Sequence, residues 1–381
     1  MRRLGLLFVL ALPLAADDLV AQGWDHFYNL EYEQAILVFQ RVRDAAPQVP
    51  AHYNYLAQAR LYQELYRLGA LESELLTGND HFLRTEKIRP DPGETGRFLA
   101  DIEQAMSLAS ARIETNPRDV EALYTLGSAY GLRTNYRFLI QKSWRAAVAD
   151  GSQARKNHNQ VLRLDSQHYD AMLTQGAYDY IIGGLPWHTR LFSYLAGQSG
   201  DKARGIRTIE LVARKGNLNR VDAQVMLAIL YRREKQPAQA VAILDPLIRA
   251  YPRNYLFRLE KGHMLADLGK KDEALAVFRE TEHFRLSGRP LHKVYYEIGN
   301  LHFWYQDLDP ALENMRRVTE SKDLDLQTGV LAWMRTGQIL DLMRRRQEAV
   351  EAYNRAIRFA PQTAAAEESR RYLSRPYHRD K

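Results

Sequence analysis

The chain has 381 residues, of which 46% are apolar, with a formal net charge of +7 and no cysteine. A mean hydropathy of −0.45 excludes a multi-span membrane protein, and the lack of cysteine excludes disulfides, thiolate metal sites and a lipid anchor on cysteine. Basic residues are scattered among acidic ones, which favours a solvated helical surface over a nucleic-acid interface.

The N-terminus has the pattern of a secretory signal peptide over residues 1–16. Arg2 and Arg3 precede an apolar segment from Leu4 to Leu14, and small residues follow, with cleavage expected near Ala16. That apolar segment is shorter than the roughly 20 residues that span a bilayer. We therefore expect a periplasmic or secreted protein; an uncleaved anchor or a buried first helix is the alternative.

Short helical segments of similar sequence recur after the N-terminal segment. Their common small residue stands at Ala35, Ala105, Ala154, Gly205, Ala240, Ala274, Ala311 and Ala349. The last four intervals are 35, 34, 37 and 38 residues, a period typical of stacked helix pairs. Glycine or alanine usually precedes the small residue by twelve positions, and a bulky residue usually follows it by four. This pattern predicts two helices in close contact, with the bulky side chain filling the space beside them.

Three longer intervals indicate insertions, at residues 75–98, 130–150 and 183–200. The first is predicted to be a loop, because glycine and proline interrupt it, and the second to be one long or kinked helix. The third contains a short amphipathic helix, Trp187–Leu195. That helix is expected to pack on its own solenoid, to meet a partner or to contact a membrane surface.

The stretches "LEKGHMLADLGKKDEALAVFRE" and "WMRTGQILDLMRRRQEAVEAYNRAIRFAP" resemble the tetratricopeptide repeat (TPR) family, as found in bacterial exported proteins. The resemblance implies an all-α fold, a right-handed superhelical solenoid of about eight helix pairs. Irregular repeats are expected over residues 17–216 and regular repeats over 217–361. A capping helix and a loose tail are expected over residues 362–381.

The resemblance also implies a groove, lined by the first helix of each pair, that binds a protein or peptide partner. Candidate groove residues are Leu259, His263, Tyr296, Asn300, Phe303, Met334, Arg335 and Gln338. For each of them, ordinary packing between repeats is the alternative interpretation.

Motifs of nucleotide, zinc and serine-hydrolase sites do not occur in the sequence. We therefore predict a non-enzymatic scaffold in the bacterial cell envelope, with no cofactor, no metal, no catalytic residue and no nucleic-acid partner. The alternative function is a helical-solenoid enzyme or glycan-binding protein acting on cell-wall material. Two facing carboxylates near residues 75–98 would favour that alternative.

Overall fold

A computed structural model describes residues 16–69, 71, 90–184, 199–283, 291–322 and 324–379. The signal-peptide segment before residue 16, most of the first insertion and the Trp187–Leu195 helix lie outside these residues. The described residues contain helices and no β-strand, which confirms the all-α prediction. The chain divides into two compact units, Met1–Arg233 and Glu234–Lys381.

The N-terminal unit contains nine α-helices among its described residues. They are α1 (Ala16–Tyr28), α2 (Tyr32–Ala45), α3 (Pro50–Arg67), α4 (Pro92–Thr115), α5 (Val120–Asn135), α6 (Trp144–Leu164), α7 (Met172–Gly183), α8 (Lys202–Lys215) and α9 (Arg220–Arg233). Helices that follow one another along the chain pack together, as in an antiparallel stack. A π-helical turn, Tyr136–Ile140, follows α5 directly.

The C-terminal unit contains eight α-helices among its described residues. They are α10 (Pro237–Ala250), α11 (Tyr255–Asp267), α12 (Lys271–His283), α13 (Leu291–Trp304), α14 (Leu308–Thr319), α15 (Leu326–Leu342), α16 (Arg346–Phe359) and α17 (Ala364–Ser374). In chain order, α1 to α8 form four helix pairs in the N-terminal unit, and α11 to α16 form three in the C-terminal unit, with α17 as a final single helix. This succession of packed helix pairs agrees with the predicted all-α solenoid.

The small residue of the repeat is buried at every one of its eight positions. Ala35, Ala105, Ala240, Ala274, Ala311 and Ala349 have no accessible surface, Ala154 has 1%, and Gly205 is buried. The opposite helix carries a glycine in several pairs, and the bulky residue lies on that glycine. A Cβ atom at Gly262 would lie 2.1 Å from Phe278 Cε1, and one at Gly337 would lie 2.4 Å from Tyr353 Cε1. The bulky residue thus fills space that a side chain on the first helix would otherwise occupy.

Two insertions differ from their predictions. The loop expected as far as Phe98 ends earlier, because α4 begins at Pro92, with the Asp91 carboxylate accepting hydrogen bonds from the N–H groups of Gly93 and Glu94. The helix expected through residues 130–149 is broken after the π-helical turn, where Lys142 has a φ of 53°. The chain reverses there, so that α6 packs back on α5.

Candidate peptide-binding surface of the C-terminal unit

The eight predicted groove residues lie on the first helices of three successive pairs. Leu259 and His263 are on α11, Tyr296, Asn300 and Phe303 are on α13, and Met334, Arg335 and Gln338 are on α15. Residues spaced by four positions lie one turn apart on the same helical face. Each helix therefore contributes one short row of side chains, as the repeat pattern predicts.

Most of these side chains are buried rather than open to a ligand. Phe303 has no accessible surface, and Leu259, Tyr296, Met334 and Gln338 are between 3% and 8% exposed. Phe303 and Tyr296 belong to one apolar cluster with Met315, Ile339 and Tyr353, among others. These five positions therefore pack between neighbouring helices, which leaves His263, Asn300 and Arg335 as the partly accessible members of the predicted set.

His263 joins two of the three helices. Its Nε2 atom lies 2.8 Å from the Glu297 carboxylate on α13, and its Nδ1 atom lies 3.7 Å from the Glu260 carboxylate on its own helix. Asn300 is on α13 as well, and its buried Oδ1 atom has no hydrogen-bond partner among the described residues. This part of the surface is polar and acidic.

Arg335 covers an aromatic pair at the end of α13. Its guanidinium carbon lies 4.2 Å from the centre of the Phe303 ring and 5.2 Å from that of Trp304. Its Nη1 atom donates a hydrogen bond of 2.9 Å to Gln338 Oε1, whereas its buried Nε atom has no partner among the described residues. Phe303, one of the candidate groove residues, lies beneath this arginine and supports it.

The C-terminal tail, residues 375–379, lies on the same surface. The tail is extended after α17 ends at Ser374, and it runs back over the C-terminal ends of α15 and α13. The backbone N–H of Tyr377 donates to Asp341 Oδ2 at 2.7 Å, and Arg379 Nη2 donates to the Trp304 carbonyl oxygen at 2.9 Å. The Arg379 guanidinium also stacks on Trp304, 5.2 Å from the ring centre. The prediction of a loose tail was therefore wrong for these residues.

Asp341 is the polar centre of this arrangement. Its side chain is 1% exposed and accepts hydrogen bonds from Arg346 Nη1 at 3.0 Å and from the Tyr353 hydroxyl at 2.8 Å. Burial, together with this negative partner, raises the pKa of Tyr353 far above its ordinary value, so the phenol stays protonated and keeps donating. Arg346 also donates to the carbonyl oxygens of Tyr372 and Leu373, which fixes the end of α17.

Sequence reasoning missed Asp341, Trp304 and the tail residues. Their role depends on where the chain goes after the last repeat, and the repeat pattern contains no information on that path. The segment "RPYHR" itself contains no motif that predicts these contacts.

Two carboxylates near the first insertion, the feature that would favour an enzyme, are both bonded to one arginine instead of facing an open cleft. Arg60 bridges two carboxylates there, with Nε 2.9 Å from Asp101 Oδ2 and Nη1 3.2 Å from Glu94 Oε2. Burial raises the pKa of Asp101, and a hydrogen bond from Arg97 lowers that of Glu94. Because the guanidinium stands between the carboxylates, this group braces α3 against α4.

The part of the chain that the structure describes contains no cluster of three or more histidine, aspartate or glutamate side chains able to hold a metal ion. Nor is any helix of these residues long and apolar enough to cross a membrane.

Comparisons with known proteins identify the repeats. Residues 225–285 and residues 330–363 each match the sequence model of the tetratricopeptide repeat. The chain therefore contains tetratricopeptide repeats, a class that generally serves as a scaffold for protein–protein interaction. No curated protein matches the sequence as a relative.

Several solved structures are similar in part. PilF of Pseudomonas aeruginosa is 13% identical with a TM-score of 0.41, and the match covers 67% of this chain and 99% of PilF. Yeast Tom70 is 12% identical with a TM-score of 0.42, over 94% of this chain and 95% of Tom70. YrrB, described as a TPR protein with an unusual peptide-binding site, is 17% identical with a TM-score of 0.34, over 69% of this chain and 97% of YrrB.

Proposed function

We propose that the chain is a non-enzymatic scaffold. It binds an extended peptide or protein segment on the first helices of the helix pairs in its C-terminal unit. The observation that supports this most is the tail itself. Residues 375–379 are an extended segment held by one main-chain hydrogen bond, one side-chain hydrogen bond and one stacked guanidinium. A surface that holds its own extended chain in this manner has the groups needed to hold another.

The chemistry of the surface suits such a segment. Asp341 offers a fixed acceptor to a main-chain N–H, and the end of α13 offers a carbonyl acceptor and an aromatic face to a cation. Trp304 is 53% exposed and Tyr305 is 40% exposed, so part of the aromatic surface is still open next to the tail. Exposed aromatic side chains of this kind are the usual anchors of peptide contacts.

Peptide selection tests this proposal. A random peptide library is selected separately on the intact chain and on a chain that ends at Ser374, and the affinities of enriched peptides are measured by fluorescence anisotropy. We expect Trp304→Ala and Arg335→Ala to weaken binding at least tenfold. Leu326→Ala is the matched control, because Leu326 begins α15 and is 65% exposed. Peptides that bind equally well to all these variants would contradict the proposed surface.

We further propose that the protein works outside the cytoplasm, in the cell envelope. The support for this is the N-terminal pattern of Arg2 and Arg3, an apolar segment and small residues, in a chain without cysteine. Fractionation of a bacterial host that expresses the intact gene is expected to place the protein in the periplasm, with a new N-terminus near Ala16. A full-length protein that remains in the cytoplasm would rule out this location.

A further inference from the structure

The tail contacts the surface with alternate residues. Tyr377 and Arg379 are partly buried, while Arg375, Pro376 and His378 are exposed. This alternation is that of an extended chain with one side turned to the protein. The Tyr377 ring lies 5.4 Å from the Tyr372 ring and 6.0 Å from the Phe303 ring, measured between centres. The surface therefore contacts one aromatic side chain and, two residues later, one arginine.

The groups that hold the tail also have partners outside it. Asp341 accepts hydrogen bonds from Arg346 and Tyr353. Arg335 stacks on Phe303 and donates a hydrogen bond to Gln338. Because these partners orient both side chains, the surface has the preorganised groups that a binding site for a separate ligand needs.

The tail also fits this surface imperfectly. Arg379 and Arg335 stack on the same Phe303–Trp304 pair, so two positive charges share one aromatic platform. The buried Nη1 atom of Arg379 has no hydrogen-bond partner among the described residues. The unsatisfied donor weakens the contact, so a separate segment that satisfies it competes with the tail for this surface.

We propose, building on the peptide-binding function above, that residues 375–379 are a built-in competitor of this surface. The partner that the tail excludes is an extended segment with an aromatic residue followed two positions later by arginine. Such a segment donates its main-chain N–H to Asp341 and places its guanidinium on Trp304. The intact chain binds this segment weakly, and release of the tail raises its affinity.

The probe is a fluorescein-labelled peptide with the sequence of residues 375–379, RPYHR, amidated at its C-terminus. Its binding is measured by anisotropy to three proteins: the intact chain, the chain that ends at Ser374, and the full-length double variant Tyr377→Ala/Arg379→Ala. We expect the second and third proteins to bind the peptide at least tenfold more tightly than the intact chain. The double variant keeps the full length, so it separates competition from any effect of truncation.

Two controls define the contact. The peptide RPAHA, which lacks both side chains, is expected to bind at least tenfold more weakly than RPYHR to the truncated chain. The substitution Trp304→Ala in the truncated chain is expected to reduce RPYHR binding, while circular dichroism shows unchanged helix content.

Equal affinity of RPYHR for the intact and the truncated chain would overturn the competitor role. That result would leave the peptide-binding function intact if selected peptides still depended on Trp304 and Arg335. No binding of RPYHR to any of the three folded proteins would also overturn the inference. Failure of the peptide selection itself, on both the intact and the shortened chain, would instead overturn the proposed function.

Discussion

Single glycines fix the spacing of the helices in a pair. The strongest case is Gly262 on α11, because a Cβ atom there would lie 2.1 Å from the ring of Phe278, which has 1% accessible surface. The same relation holds for Gly337 with Tyr353 and for Gly23 with Phe39. The aromatic residue and the glycine are therefore one packing unit, and neither is replaceable alone.

Replacing Gly262 with alanine is expected to destabilise the C-terminal unit by about 1–3 kcal/mol, since overpacking a closely packed core costs that much. The double variant Gly262→Ala/Phe278→Leu is expected to recover part of the loss, because the smaller side chain makes room for the methyl group. Gly131→Ala is the control, since a Cβ atom there meets nothing within 4 Å. Urea unfolding measures all three, and a loss at Gly131 equal to that at Gly262 would contradict the packing explanation.

Two titratable groups of the N-terminal unit make the stability of the fold depend on pH in opposite directions. Burial raises the pKa of Asp222 to about 6, although Tyr28 and Gln58 donate hydrogen bonds to its carboxylate. Burial lowers the pKa of His158 to about 4. Between these values, the folded protein holds a proton on Asp222 that the unfolded chain lacks, so this group adds stability as the pH falls. His158 has the reverse effect, since the unfolded chain takes up its proton first.

Replacing Asp222 with asparagine removes its contribution to this pH dependence, because asparagine does not titrate. At pH 7.5 we expect the variant to gain on the order of 1–2 kcal/mol, because one pKa unit corresponds to about 1.4 kcal/mol and Asp222 keeps some accessible surface. This gain is expected to shrink as the pH falls from about 6 to about 4. Unfolding midpoints in urea at pH 7.5, 6.0 and 4.5 test the prediction. A difference between wild type and variant that does not change with pH would contradict it.

At the level of elements, sequence reasoning located the helices by their period but missed a reversal between α5 and α6. The segment contains no proline, so the pattern predicted a long or kinked helix. In the structure the helix is broken, and Asp150, a side chain with 5% exposure, pairs with both Arg133 and Arg137 across the reversal. In one straight helix, residues 133 and 150 would be about 25 Å apart, at about 1.5 Å per residue. The partnership of one carboxylate with two arginines is tertiary, and no local signal encodes it.

For the candidate site, too, the sequence predicted one part of the arrangement and missed another. The repeat period correctly assigned the eight predicted groove residues to the first helices of their pairs, because helical spacing alone determines a face. It did not distinguish accessible from buried members of that face, so Phe303 and Gln338 stood among the groove candidates, with packing between repeats as the alternative. Burial there depends on contacts between successive pairs and on the path of the tail, which the period does not specify.

Asp325 fixes the start of α15, the helix that carries Arg335 and Asp341. Its carboxylate accepts from the Thr328 N–H at 2.9 Å and lies 2.9 Å from His292 Nε2 on α13. Burial alone would raise the pKa of Asp325, but the hydrogen bonds from His292 and Thr328 and the charge of Lys293 outweigh it and hold the pKa well below its usual range. The stability that this carboxylate contributes is therefore present above about pH 4 and is lost as the pH falls further.

Replacing Asp325 with alanine is expected to cost about 1–2 kcal/mol at pH 7, the usual effect of removing a helix N-cap. Asp325→Asn is expected to cost less, because asparagine is a comparable cap. Urea unfolding followed by circular dichroism at pH 7 measures both variants. If asparagine proves as harmful as alanine, the charge on Asp325 matters more than the cap.

At the scale of the whole molecule, the chain divides at residue 233, whereas the regularity of the repeats suggested a change at residue 217. Long-range hydrogen bonds explain why α9 belongs to the N-terminal unit. Asp222 on α9 accepts from Tyr28 of α1 and Gln58 of α3, which precede it by 194 and 164 residues. The regular sequence pattern continues through α9, but Asp222 on this helix contacts the first two helix pairs.

The far end of the array is closed by α17, and its loss tests whether the stack needs a cap. Ala365, Ala366 and Tyr372 of α17 cover the buried side chains of Val330 and Met334 on α15. A chain that ends at Thr363 exposes this apolar surface and removes the carbonyl partners of Arg346. We expect a loss of about 2–4 kcal/mol in the unfolding free energy of the C-terminal unit, since burial of one large apolar side chain contributes about 1.5–3 kcal/mol.

The matched control for this truncation is the chain that ends at Ser374, which keeps α17 and loses only the tail. It is expected to lose about 1.4 kcal/mol relative to the intact protein, because a docked tail that lowers peptide affinity tenfold must itself contribute about that much. Amide hydrogen exchange followed by mass spectrometry locates the effect. In the chain ending at Thr363, protection should fall first in α15 and α16, because each repeat is stabilised by its direct neighbours. A uniform loss of protection across both units would instead mean that the whole chain unfolds as one cooperative array.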